Sequence, residues 1–567
     1  MASPELSARY DRYPKFDELT AWLHEFADRY PDLVLLTTIG DSYEGRPLWL
    51  ATVTNRATGP AADKPALWLD GNIHASELTA SVALVHLIEH LCTGYGNDPK
   101  ITRALDTRAF YIAPRINPDG AELALAEVPT IVRATTRPWP LTEQLDGLIG
   151  GDVDHDGRQL QMRVPDPNGT WKPYPADPRL LVAREPDEDG SGPYYRVLAE
   201  GRIQNYDGQT VRAARPVAGI DSNRNFPNDW ARVVQNAPTG AGDYPTSEPE
   251  VAAIVRAVTE RPNITGYFAY HTFSGVHLRA FGNKPDEALA ANDLWTYQEL
   301  GKRATEITGY PAISVYHDFR YHPKSVITGT GSDWAFDHIG VYAWTTEFWS
   351  PLRTAGIDDA HPIDWYRTHP LDDELKLLAW VDENVPGGYV DWYPFEHPEL
   401  GPVELGGWNV ARVFRNPPPH LLEAEIAPHS ELAVFHALCS PLLRRRDTLV
   451  EPLGEGTWRV RVVVENAGWM ATNVTQQALD RGVVQPVVAR VSVPDGLVVG
   501  GKDRLELGQL TGRALKSSAI HQFGTSDDTT DRAVAEWIVQ ARTGATVEVE
   551  VRHDRAGVVT QVLTLGS

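Results

Sequence analysis

Apolar positions recur at a helical period near the start of the chain, where Phe16, Leu19, Trp22, Leu23 and Phe26 share one face of a helix predicted over 13–30. Short apolar runs then take over. Segments 34–39, 48–53, 66–69, 109–113, 264–270 and 341–346 are too short for helices and read as strands, with a helix over 81–91 between two of them. Asn117-Pro118-Asp119-Gly120 carries the residues of a tight reversal. Strands alternating with helices imply a mixed α/β sheet. Between Pro138 and Gly219 the chain is rich in Pro, Gly and Asp without sustained periodicity, too long for a simple connection, and residues 138–218 are expected to form an inserted subdomain or lid. Three prolines open 417–443, which then reads as a helix broken near Pro428 that closes the first domain. From 444 the pattern changes to period-two runs, as in 458–464, 487–493 and 547–551, which predicts a β-sandwich over 444–567 after a first domain spanning 1–443.

With 567 residues the chain is long enough for two domains and a large core. Its net charge of −24 argues against nucleic acid or an anionic membrane as partner and favours neutral or basic substrates. Cys92 and Cys439, the two cysteines, sit in apolar surroundings and form no disulfide framework. The N-terminus lacks a basic start followed by an apolar stretch, and no run is long enough to span a bilayer, so the expected location is cytoplasmic; a leader removed before residue 1 would make the protein secreted.

The chemistry concentrates in four residues. His74 and Glu77 form a His-x-x-Glu pair just after the strand at 66–69, His271 follows another strand, and Glu347 follows a third. Ligand sites collect at the carboxyl edges of such strands. Two His and one Glu supply the three protein ligands of a hydrolytic zinc site, which keeps its fourth position for water. Zinc brings the pKa of its water toward neutrality, and Glu347 is suited to take that proton and pass it to a departing amine. A second cluster, Asp152, Asp154 and Asp156 before Gly157, resembles the first half of a calcium-binding loop, although Arg163 replaces the bidentate Glu at its twelfth position; a solvated acidic turn is the plainer reading. His86 and His90 are four apart but have no apparent third ligand, so they read as helix surface. The tryptophans are scattered through core-like runs and read as packing residues.

The blocks His74-x-x-Glu77, Asn117-Pro118-Asp119-Gly120, Gly219-x-Asp221-x-Asn223-Arg224-Asn225, His271, Asp333-Trp334 and Glu347 occur in the order seen in the zinc carboxypeptidases of the carboxypeptidase A type, which the chain resembles from about Ser7 to Val385. The resemblance implies a mixed-sheet α/β carboxypeptidase-like domain with one Zn2+ per chain on His74, Glu77 and His271, and Glu347 as catalytic carboxylate. It implies that Asn223 and Arg224 hold the substrate's terminal carboxylate and that Asp221 orients His74. Arg133, with Arg137 and Arg163 as rivals, corresponds to the family's oxyanion-stabilising Arg. Two departures bear on specificity. Alignment on Asp333-Trp334 puts Ser325 where the family has a mobile Tyr, leaving Tyr321 and Tyr316 as substitutes, and Ser332 stands at the base of the side-chain pocket, favouring neither basic nor large apolar groups. The expected activity is removal of C-terminal residues from peptides. Two other readings are an amidohydrolase or peptidase for γ-linked, cell-wall-derived or acylated amino-acid substrates, and a non-catalytic protein that binds through its C-terminal sandwich.

Overall fold

The computed structural model describes residues 6–130, 132–232, 240–358, 360–516, 518–520 and 527–566, so residues 1–5 of the N-terminal stretch and Ser567 lie outside the described residues. Its largest sheet has eight strands in the order Val34–Asp41, Pro47–Val53, Ala109–Ala113, Ala66–Gly71, Ile264–Thr272, Tyr342–Phe348, Val276–Arg279 and Ala312–Ser314. The four central strands run parallel, with antiparallel strands toward both sides. Every residue of Ala66–Gly71, Ala109–Ala113 and Ile264–Thr272 is buried, as expected of parallel strands covered on both faces. Helices Phe16–Arg29, Thr79–Gly94 and Pro419–Cys439 contribute Leu23, Leu84 and Ala433 to the same core.

Several boundaries differ from the sequence reading for identifiable reasons. His271 and Glu347 are each the penultimate residue of their strands rather than following them, paired in register across the parallel ladder. Asn117-Pro118-Asp119-Gly120 is not a reversal but the start of helix Pro118–Ala124. The Asn117 side chain accepts the Gly120 N–H, and Pro118 occupies the first turn, where its missing N–H costs nothing. Helix Pro419–Cys439 runs through Pro428 without a break, because burial of Leu422, Ile426, Leu432 and Val434 along its length outweighs the lost backbone hydrogen bond.

The region 138–218 contains more regular structure than its composition suggests. Strands Gln161–Pro165, Trp171–Tyr174, Asp177–Ala183 and Tyr195–Ala199 join a six-stranded sheet completed by the hairpin Tyr389–His397 and Gly401–Trp408, a partner the sequence reading did not assign as strands. Met162, Ile203, Val403 and Leu405 form its small core. Residues 443–564 hold two four-stranded antiparallel sheets whose inner faces share Trp458, Val460, Trp537, Val547 and Val551. This region docks on the first through the buried Arg555, which donates to the Gly340 carbonyl at 2.9 Å, and Thr475, whose hydroxyl donates to the same carbonyl at 2.8 Å. Among the described residues no helix is long and apolar enough to cross a membrane, and Cys92 and Cys439 are buried and unpaired.

Candidate metal centre

Strand Ala66–Gly71 ends at Asn72, which takes a positive φ of 58° that Asn tolerates better than most side chains. Its side chain then shapes the following loop, donating to the His74 carbonyl at 2.7 Å and accepting from the Ser81 hydroxyl at 3.1 Å. Gly120 permits the helix that follows Asn117 to press on this loop, since a Cβ there would stand 2.5 Å from Ala75 Cβ. From the far end of the first domain, Asn416 accepts the Thr79 N–H and donates to the Ser76 carbonyl at 2.9 Å. The loop carrying His74 and Glu77 is therefore clasped from three directions. Neither Asn72 nor Asn416 was singled out from the sequence; an Asn directly after a strand-ending Asp-Gly was the available signal for the first, and none existed for the second.

The donors converge. His74 Nδ1 is 2.9 Å from Glu77 Oε1 and 3.1 Å from His271 Nδ1, and His271 Nδ1 is 3.0 Å from Glu77 Oε2. His74 Nε2 faces Asp221 Oδ1 at 3.1 Å, so its proton belongs on Nε2 and the Nδ1 lone pair points at a carboxylate and another ring nitrogen. Lone pairs set against lone pairs repel unless a cation lies between them. The separations resemble the donor spacing of about 3.3 Å expected around a tetrahedral zinc with bonds of about 2 Å, so this donor set fits the ion. Burial alone would raise the Glu77 carboxyl, but His74 and His271 outweigh it and hold it well below the usual range. Burial acts likewise on Asp221, where Arg133, Arg224 and His74 win and hold it low.

Glu347 lies on the strand beside His271. Burial and the Glu77 charge push its carboxyl up to about 7, against His271, Arg133 and Arg415, and its Oε2 is buried without a hydrogen-bond partner. Arg133 donates from Nε to Asp221 Oδ2 at 2.9 Å and lies 3.4 Å from Glu77 Oε1. Its two rivals are committed elsewhere: Arg137 pairs with Glu248, and Arg163 pairs with Glu404 between the Tyr195 and Trp392 rings. Asn223 accepts the Gly331 N–H at 2.9 Å, and its amide nitrogen is 3.5 Å from His271 Nε2. The buried Arg224 donates to the Asn223 carbonyl at 2.7 Å and has no carboxylate partner among the described residues. Arg133, Arg224, Tyr321, Ser332, Asp333 and Glu347 border one small cavity walled by Leu278, Val315, Phe319 and Ile327. Tyr321 reaches this cavity, whereas Ser325 and Tyr316 do not; Ser325 donates to the His322 carbonyl and Tyr316 lies under Arg320.

The other sequence candidates lie apart. Asp152, Asp154 and Asp156 do cluster, but Asp152 accepts the Gly157 N–H, Asp154 accepts from the Tyr393 hydroxyl, and Asp156 pairs with Arg158. An acidic turn whose oxygens are already engaged gives calcium no support. His86 accepts or donates to Ser430 and His90 approaches Glu431, the plain arrangement of a helix packed on its neighbour.

A family profile described as Zinc carboxypeptidase matches residues 19–172 and 191–357, more than half of the chain. Residues 443–564 match a profile described only as a domain of unknown function. Carboxypeptidase A1 of Rattus norvegicus is 24% identical over 391 residues, covering 68% of this chain and 73% of the relative. Carboxypeptidase B of Astacus astacus is 25% identical over 356 residues, covering 61% and 87%. A solved structure of thrombin activatable fibrinolysis inhibitor aligns with a TM-score of 0.41 at 20% identity, over 62% of this chain and 72% of that one. The chain belongs to the zinc carboxypeptidase family and is a zinc metallopeptidase, a hydrolase.

Proposed function

We propose that this protein removes single residues from the free C-termini of peptides, with zinc held by His74, Glu77 and His271. The observation that carries the reading is the convergence of two imidazole nitrogens and a carboxylate beside Glu347, a carboxyl with one buried, unpartnered oxygen. When bound, zinc supplies Lewis acidity and an acidified water. Glu347 takes the proton of the attacking water and delivers it to the leaving amine, a role suited to a carboxyl poised near neutrality. Arg133 donates to the oxygen on which negative charge develops. Asp221 fixes the His74 ring by accepting its Nε2 proton. Asn223 and Arg224 bind the terminal carboxylate; the guanidinium has no competing carboxylate and a planar fork that matches one. Tyr321 closes over the substrate, and Ser332 lines the side-chain cavity, where its hydroxyl accepts from Thr345 at 3.0 Å.

For the architecture, we infer a first domain over 1–443 that includes the insertion at 138–218 and the closing segment 417–443, followed by a β-sandwich over 444–567. Two apolar clusters support this division, although Met470 and Val474 of the second region pack into the first cluster, and the shared inner faces of the two C-terminal sheets support the sandwich.

The test is a mass-spectrometric time course on a mixed peptide library with free and amidated C-termini, using zinc-loaded protein beside Glu347→Gln. Single-residue losses from free-ended peptides, absent in the variant, are expected. Cleavage of amidated ends would overturn the carboxylate clamp and favour an unusual substrate. No cleavage, with zinc bound and the fragment 444–567 binding a glycan, would favour a binding role.

A further inference from the structure

Arg415 belongs to none of the family's sequence blocks and lies beyond the residues that match its profile. It ends the short helical turn Ala411–Arg415, directly before Asn416, whose side chain clasps Ser76 and Thr79 of the ligand loop. Its guanidinium carbon stands 5.2 Å from the centroid of the Phe273 ring, two residues beyond His271. Phe273 in turn meets Tyr366 at 6.0 Å and Phe414 at 6.3 Å, both edge to face. An arginine is thus mounted on an aromatic platform between the loop that carries Glu77 and the strand end that carries His271.

This cation has no ion-pair partner among the described residues, and its Nε is buried without a hydrogen-bond partner. Its charge is felt by Glu347 and Tyr366, whose carboxyl and hydroxyl it pulls downward against the dominant effect of burial. A partly desolvated guanidinium left unpaired is costly, and an anionic ligand group removes that cost. Stacking on an aromatic face leaves the guanidinium edge free to receive such a group.

The side of the reaction on which Arg415 acts follows from the cavity. Arg224, Tyr321, Ser332 and Glu347 border it, and neither Arg415 nor Phe273 does. His271 pairs with Glu347 across the ladder and Phe273 follows it by two residues, so a substrate whose terminal carboxylate lies on Arg224 sends its acyl portion past Glu347 toward Phe273 and Arg415. This step rests on the proposed carboxypeptidase reading. We propose that Arg415 is a specificity-determining residue that binds a carboxylate side chain on the residue preceding the scissile bond, with Phe273 packing against that side chain's methylenes. The site then favours peptides with a penultimate Glu, despite the acidic character of the whole chain.

Two N-acylated peptides that differ only in a penultimate Glu or Gln test this. With zinc-loaded wild-type protein, kcat/KM should favour the Glu peptide about tenfold, the size expected of one partly desolvated charge-assisted pair. In Arg415→Gln the ratio should fall to about one, and Arg415→Lys should restore part of it. Calorimetric binding of both peptides to Glu347→Gln and to the Glu347→Gln, Arg415→Gln double variant supplies a reading independent of turnover. Preferential binding of the Glu peptide that vanishes with Arg415, together with no cleavage of either peptide by the zinc-loaded wild-type protein, would uphold the acidic subsite and sink the hydrolytic reading. Equal kcat/KM for both peptides in wild-type protein, or a preference that survives Arg415→Gln, would overturn the role of Arg415 and leave the hydrolysis intact.

Discussion

The central sheet and the C-terminal sheets solve the same packing problem with opposite patterns. Strand Ile264–Thr272 is buried at all nine positions, whereas Thr457–Asn466 and Thr546–His553 bury mainly every second residue and turn the others toward water. A strand covered on both faces has no solvent side on which to place a charge. The polar groups at its carboxyl end, the buried His271 here and the half-buried Glu347 on its neighbour with one buried oxygen, need partners or a cation. The C-terminal sheets place their charges in water, where pairs such as Arg459 with Glu451 and Arg446 with Glu465 are worth little. Reactive chemistry is therefore to be sought where burial and charge conflict, as they do around His271 and Glu347, whereas the buried Arg555 of the C-terminal region spends its charge on backbone carbonyls at the contact with the first.

Variants should separate the two regions sharply. His74→Ala should lose both zinc, measured by elemental mass spectrometry, and activity, while Glu347→Gln should keep zinc and lose about 10²- to 10⁴-fold in kcat. Normal turnover in Glu347→Gln would remove the proposed base. Asn416→Ala deletes the side chain that clasps the ligand loop from the end of the first domain, and a misplaced loop should lower kcat/KM about tenfold at unchanged C-terminal stability. Trp537→Ala, in the core of the C-terminal sheets, should cost about 3–5 kcal/mol in denaturant unfolding of that region, with zinc stoichiometry preserved. Zinc loss in Trp537→Ala would break the contrast, because it would couple the two cores.

The smallest effect concerns pH. Burial pushes the Asp333 carboxyl up to about 7, although it accepts the Gly282 N–H at 2.9 Å. Its folded pKa lies above the value of about 3.9 for an unfolded Asp, so the folded protein binds the extra proton. The associated stability is fully present below about pH 4 and is lost as pH rises through about 7. Asp333→Asn should therefore gain stability relative to wild type between pH 5 and pH 8 in parallel denaturant titrations. A difference that is constant with pH would mean that Asp333 is charged throughout.

Much of the central sheet was legible because buried parallel strands read as short apolar runs, and 109–113 coincides with its observed strand. The period-two runs near 458, 487 and 547 likewise fall on strands Thr457–Asn466, Val488–Ser492 and Thr546–His553. The strands of the six-stranded sheet were not legible, since those such as Trp171–Tyr174 in the insertion and Tyr389–His397 beyond it are only half buried and have little alternation to read. The sheet is also closed by pairing Gly401–Trp408 with Gln161–Pro165, where Glu404 stands opposite Arg163, and local pattern contains nothing that selects so distant a partner.

The sequence by itself singled out side chains that the fold brings together, His74, Glu77, His271, Glu347 and Asp221, by residue type and by ordered blocks, because metal ligation and proton transfer tolerate few substitutes; for the arginine it left Arg133 beside two rivals. Only the tertiary structure decided that Arg137 and Arg163 are committed elsewhere, that Tyr321 rather than Tyr316 reaches the cavity, and that Asn416 and Arg415 border the site. The physical reason is distance along the chain. Positioning groups act through single hydrogen bonds or stacking contacts that many residues could make, so their identity is set by what the folded backbone brings alongside rather than by any pattern around them.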